Sequence, residues 1–97
     1  MRKDHYSLRD LMAVYLVDEP FVDEALSYAS LDDGAKVVLL QDAAYSAGKL
    51  RGLDRVYVIE DDVARRGLQS KILTNARVIS YDQLVQMMKK EKVINFL

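Results

Sequence analysis

The chain has 97 residues, enough for one domain and not two. It is 51% hydrophobic and 30% charged with a net charge of −1, which excludes a disordered chain and argues against direct nucleic-acid binding. With no cysteine and a single histidine, it excludes disulfides, thiolate metal sites and thiol catalysis, and a multi-histidine site would need several chains.

Residues 1–10 are polar and charged and read as an arm, loose or helical, ahead of a domain over residues 11–97. Met1-Arg2-Lys3-Asp4-His5-Tyr6 lacks the apolar core of a signal peptide, and no apolar run approaches the length of a membrane span. A cytoplasmic location and no membrane partner are therefore expected. Met12–Val17 is a continuous apolar run with β-formers, long enough for a buried strand. Asp18-Glu19-Pro20 follows as a helix-start signal, with Asp as cap and Pro in the first turn. Val22, Ala25, Leu26 and Ala29 repeat at helical spacing, and Asp32-Asp33-Gly34 ends that helix.

Val37–Leu40 predicts the second buried strand. Gln41-Asp42 leads into Ala43–Ala47, a helix of small residues suited to close packing on a sheet, and Gly48 and Gly52 weaken and end it. Arg55–Ile59 predicts a third strand, and Asp61-Asp62 opens a short helix that stops near Gly67. Residues 68–75 are less regular. Ala76–Ile79 predicts a fourth strand, more polar than the others and so nearer an edge. Ser80-Tyr81-Asp82-Gln83 has the spacing of a capping box. Tyr81, Leu84, Val85 and Met88 form the clearest helical stripe in the chain, and Lys89, Lys90 and Lys92 suit the helix C-terminus. Val93–Phe96 reads as a final edge strand, or alternatively as a tail that docks on a neighbour.

Strands alternating with helices imply parallel pairing and right-handed crossovers, giving a three-layer α/β/α domain with a mainly parallel sheet of four or five strands. Parallel strands bring their C-terminal ends to one edge. That edge would carry Asp18, Glu19, Gln41, Asp42, Glu60, Asp61, Asp62 and Asp82, where open α/β sheets bind ligands. The plainer reading of these carboxylates is that they cap or neutralise helix N-termini. The functional reading is a cation site or a docking rim for a basic partner. Arg65-Arg66 fits a solvated helix end or a partner-facing ion pair. Tyr45 fits either core packing or an interface. The glycines match neither dinucleotide nor phosphate-loop spacing, the serines have no paired histidine, and His5 lies in the arm.

Several segments, in order, resemble a known family. Val37-Val38-Leu39-Leu40-Gln41-Asp42-Ala43-Ala44-Tyr45 is similar to the DsrH/TusB signature of an apolar strand, Gln-Asp and a glycine-led turn. Val56–Asp62 followed by Ala64-Arg65-Arg66-Gly67 resembles its second segment, Val78–Val85 its third, and Lys92–Phe96 its ending. The matches span about residues 12–97. Ala43 stands where the family usually has glycine, which suggests a helix start needing no unusual backbone, and Phe96 stands where tryptophan is common.

The resemblance implies a Rossmann-like domain of the DsrE/DsrF/DsrH sulfur-relay superfamily. It implies a homodimer, or a hetero-oligomer with DsrE-like and DsrF-like subunits. Such complexes pass persulfide sulfur towards tRNA wobble-uridine 2-thiolation or through dissimilatory sulfur metabolism. Only a thiolate carries sulfur in these transfers. A chain without cysteine is then expected to be a non-catalytic structural or docking subunit. The alternative is a homo-oligomeric module binding a small ligand or cation, unrelated to sulfur transfer. No catalytic residue, metal ligand or cofactor is expected. The binding or interface candidates are Gln41, Asp42, Tyr45, Asp61, Asp62, Arg66, Tyr81 and Phe96.

Overall fold

The computed structural model describes residues 13–32, 34–49, 55–68 and 76–97. The arm at residues 1–10, Met12 and Gly52 lie outside the described residues. In chain order come β1 (Ala13–Val17), α1 (Val22–Ala29), β2 (Lys36–Leu39), a 3₁₀ helix (Gln41–Lys49), β3 (Val56–Ile59), α2 (Glu60–Arg66), β4 (Arg77–Ile79), α3 (Tyr81–Lys90) and β5 (Lys92–Phe96). The five strands form one sheet in the order β4-β3-β2-β1-β5, and every neighbouring pair is parallel.

β1 and β3 are buried at every position, and in β2 only Lys36 is not. A parallel sheet is covered on both faces, so its central strands read as unbroken apolar runs. Along each strand the side chains alternate between two separate cores. Tyr15, Val17, Val37, Leu39, Val56 and Val58 meet α1, the 3₁₀ helix and, through Val63, α2. Val14, Leu16, Val38, Tyr57, Ile59 and Ile79 meet α3 through Leu84 and Met87. The division comes from chain direction. β1 to β4 step one way across the sheet, so right-handed crossovers put their three helices on one face; the return from β4 to β5 puts α3 on the other. Each fully buried Leu, Ile or Val side chain contributes about 1.5–3 kcal/mol relative to exposure.

The 3₁₀ helix owes its place to its small residues. Ala43, Ala44 and Ala47 are fully buried against the sheet, and their methyl groups let the backbone approach closely. The helix runs through Gly48 to Lys49, so the glycine does not end it. Nine residues is long for this geometry, which usually persists for only about 3–4.

The start of α1 differs from the sequence expectation. Pro20 precedes the helix, in a turn closed by the Phe21 N–H donating to the Asp18 carbonyl at 2.9 Å, with the Glu19–Pro20 peptide cis. The helix begins at Val22, its N-cap Phe21 has no side-chain bond, and the Asp18 carboxylate accepts from the Glu19 N–H at 2.7 Å. Asp18 is therefore spent on its own turn before the helix starts. α3 begins as expected: the Ser80 hydroxyl accepts from the Gln83 N–H, and the Gln83 side chain accepts from the Ser80 N–H. α2 ends on Gly67, whose φ of 59° is left-handed and favours glycine. β4 forms one sheet edge and β5 the other, so the C-terminal segment is an added strand.

Tyr15 links β1 to the end of α1. Its ring stacks on Phe96 of β5 at 6.0 Å, and its hydroxyl donates to Asp32 at 3.0 Å. Burial, the hydrogen bond to Asp32 and the Asp32 charge push the phenol up to about 12. A raised folded-state value stabilises the neutral form fully below about pH 10, where a free phenol ionises, and that contribution is lost as pH rises through about 12. Absorbance titration of phenolate should accordingly show a step near pH 12 that Tyr15→Phe removes. Separately, Ser80→Ala removes the capping box and is expected to cost about 1 kcal/mol, lowering Tm by about 4–8 °C in a thermal melt.

Candidate functional site

The shared C-terminal edge of the sheet carries one connected polar corner, built by the turns after β2 and β3. Gln41 leaves β2 with φ at +50°, the single non-glycine residue in the left-handed region among the described residues. Such a conformation costs roughly 1–2 kcal/mol and needs compensation. It turns the Gln41 N–H towards α2, where Asp62 Oδ2 accepts it at 2.8 Å. Asp62 Oδ1 accepts from Arg66 Nη1 at 3.2 Å, one helical turn along. Arg66 Nε donates to Asp42 Oδ1 at 3.0 Å, returning the chain of contacts to the residue after Gln41.

The expectation of an ordinary backbone at Ala43 holds at that residue, but the unusual backbone lies at Gln41, two positions earlier. Asp62 is buried, with only 4% of its side chain exposed, and Arg66 is 15% exposed. Both oxygens of the carboxylate are engaged, so Asp62 serves as a positioning acceptor. Desolvation works against the Arg66 charge. The hydrogen bond to Asp42 and the fields of Asp42, Asp62 and Tyr45 outweigh it and raise the guanidinium above its ordinary value. Tyr45 therefore lies within electrostatic reach of Arg66, and it is half exposed (52%).

Of the sequence candidates, the fold brings together Gln41, Asp42, Tyr45, Asp62 and Arg66. Asp61 is exposed in the first turn of α2 and joins no part of this network. Tyr81 opens α3 on the opposite face, and Phe96 lies half-buried at the far edge against Tyr15.

The acidic rim follows the plainer reading through first-turn charge and not through side-chain caps. The N-cap residues are Phe21, Ile59 and Ser80, and only Ser80 bonds through its side chain. Asp42, Glu60, Asp61, Asp62 and Asp82 stand in first turns, where negative charge suits the helix dipole. Nor do the carboxylates converge: among the described residues no three could hold a metal ion together. At the same edge the buried Ser46 hydroxyl donates to Glu19 at 3.4 Å, a contact across 27 residues that no local pattern signals.

The class is thus an all-parallel, Rossmann-like α/β domain whose strand-end corner is built from a Gln-Asp turn and an Asp-Arg helix. The sequence model of the family described as DsrH like protein matches residues 19–93, and the chain belongs to that DsrH-like family. Membership ties it to sulfur-relay function. The match covers both halves of the corner, Gln41-Asp42 and Asp62–Arg66. No curated protein matches the chain. Among the described residues no helix is long and apolar enough to cross a membrane.

Removing the Asp62 carboxylate leaves the Gln41 N–H without its acceptor and Arg66 without its buried partner. Asp62→Ala is expected to cost about 1–3 kcal/mol in urea unfolding, and Asp62→Asn, which keeps an acceptor for Gln41, distinctly less.

Proposed function

We propose that this chain is a non-catalytic docking subunit of a persulfide relay, and that its strand-end corner faces a cysteine-bearing, DsrE-like partner. The observation that carries the reading is the corner itself. A buried carboxylate holds a left-handed turn in one geometry, and an exposed tyrosine stands beside an arginine–aspartate pair, in a chain with no cysteine. A relay needs a thiolate at each carrier position, because the persulfide sulfur passes by thiolate attack. A subunit without one contributes surface and position. Tyrosine and arginine are the residue types that most often dominate binding at interfaces, and a preorganised turn lowers the entropy cost of docking. In this reading Arg66 and Asp42 set the polar register and Tyr45 supplies the apolar anchor. The downstream acceptor is either tRNA wobble uridine or a dissimilatory sulfur enzyme. The nucleic acid would be met by a partner, since this chain has a net charge of −1.

The test is co-purification of the full chain with DsrE-like and DsrF-like proteins encoded beside it, followed by calorimetric titration of the purified subunits. A complex should form, and Tyr45→Ala should weaken it by at least about tenfold with an unchanged circular dichroism spectrum. Absence of a complex with any cysteine-bearing homologue, or a complex indifferent to both Tyr45→Ala and Arg66→Ala, would refute the assignment.

A further inference from the structure

Gln41 occupies a backbone conformation that its own side chain opposes. Its φ of +50° brings Cβ against the following carbonyl, a strain from which glycine is free. The bond to Asp62 does not account for the residue. It uses only the Gln41 N–H, and a glycine at this position would donate the same bond without strain. Packing does not account for it either. The side chain is exposed, belongs to neither core and makes no hydrogen bond among the described residues. A side chain that strains its own turn, with no compensating contact in the described chain, points to a contact made outside it.

The surroundings define the chemistry of that contact. A glutamine carboxamide carries an accepting oxygen and a donating NH2 group. Next to it, Asp42 gives Oδ1 to Arg66 and keeps 69% of its side chain exposed, and its Oδ2 accepts no bond among the described residues. Arg66 is only 15% exposed and is held by two carboxylates, so it offers little free charge to a partner. Glu60 and Asp61 are exposed in the first turn of α2, whose Asp62 holds the Gln41 turn. The charge presented outward here is therefore negative, and a hydrogen-bond acceptor stands on each of two adjacent residues. A cationic donor satisfies both features, and hydrogen bonds to charged groups are about twice as strong as neutral ones. An anionic group would meet the Asp42 carboxylate and be repelled.

We infer, on the basis of the docking role proposed for the corner, that the Gln41 carboxamide and the free oxygen of Asp42 together recognise a lysine or arginine side chain of the docked partner. Glutamine is kept in a strained turn for this contact, at the expense of the chain's own stability.

The test uses the full chain and the complex that the docking role requires. Gln41→Gly should leave the thermal midpoint unchanged or raise it, because relief of strain offsets the added freedom of the unfolded chain. It should nevertheless weaken partner binding by at least about tenfold in calorimetric titration. Gln41→Ala keeps the turn stiff and removes only the carboxamide, and should weaken binding as much. Raising the ionic strength about tenfold should weaken the wild-type complex, and Asp42→Asn should flatten that dependence. A Gln41→Gly chain that melts well below wild type assigns the side chain to the fold and overturns the inference. So does a Gln41→Ala chain that binds like wild type, or an affinity indifferent to salt. If Tyr45→Ala still weakens such a complex, the docking role stands and only recognition by Gln41 and Asp42 falls. If no complex forms, both fall.

Discussion

An all-parallel sheet permits no hairpins, so every strand must be returned to the starting edge by a crossover over one face or the other. Here four crossovers serve five strands, three on one face and one on the second. That unequal division sets the character of each face. The crowded face is lined by alanines in the 3₁₀ helix, which let three helical segments fit over five strands. The other face has a single described helix, α3, which buries Leu84 and leaves Tyr81, Val85 and Met88 exposed.

The same constraint concentrates chemistry at one edge. All turns that leave the C-terminal ends of strands gather there, and the turns after β2 and β3 are neighbours because β2 and β3 pair. Asp62 can then reach across 21 residues to the Gln41 N–H, and Arg66 can bind the carboxylates of both turns. Leaving a backbone donor unpaired in a partly buried site costs about as much as a left-handed residue does, so the acceptor and the strained turn support each other. The corner holds charge in fixed places and has no thiol, which is the ground of the docking role proposed above.

The aromatic contacts at the opposite edge have a similar origin. β5 is the last strand and lies outside β1, and there Phe96 stacks with both Tyr15 and Tyr28. Tyr15 in turn ties the sheet to the end of α1 through Asp32. These residues are distant in sequence, and none is marked by a local motif.

Much of the architecture was legible in the sequence, because the dominant signals are local. Continuous apolar runs mark strands buried on both faces, the Ser80–Gln83 spacing marks a helix start, and Gly67 marks a helix end. The alternation of these signals implies parallel pairing. Family membership was legible too, since the Gln41-Asp42 and Asp62–Arg66 segments survive as short patterns at fixed spacing. Tertiary structure alone decided what those residues do. Asp62 looks like any helix-opening carboxylate until folding places it beneath Gln41, and Asp61, its neighbour, is left in solvent. Pro20 looks like a first-turn residue until the turn from Asp18 to Phe21 closes around it. Hydrogen-bond partners 20 or more residues apart are set by strand order, and strand order is a property of how the crossovers pack, which no local window of sequence contains.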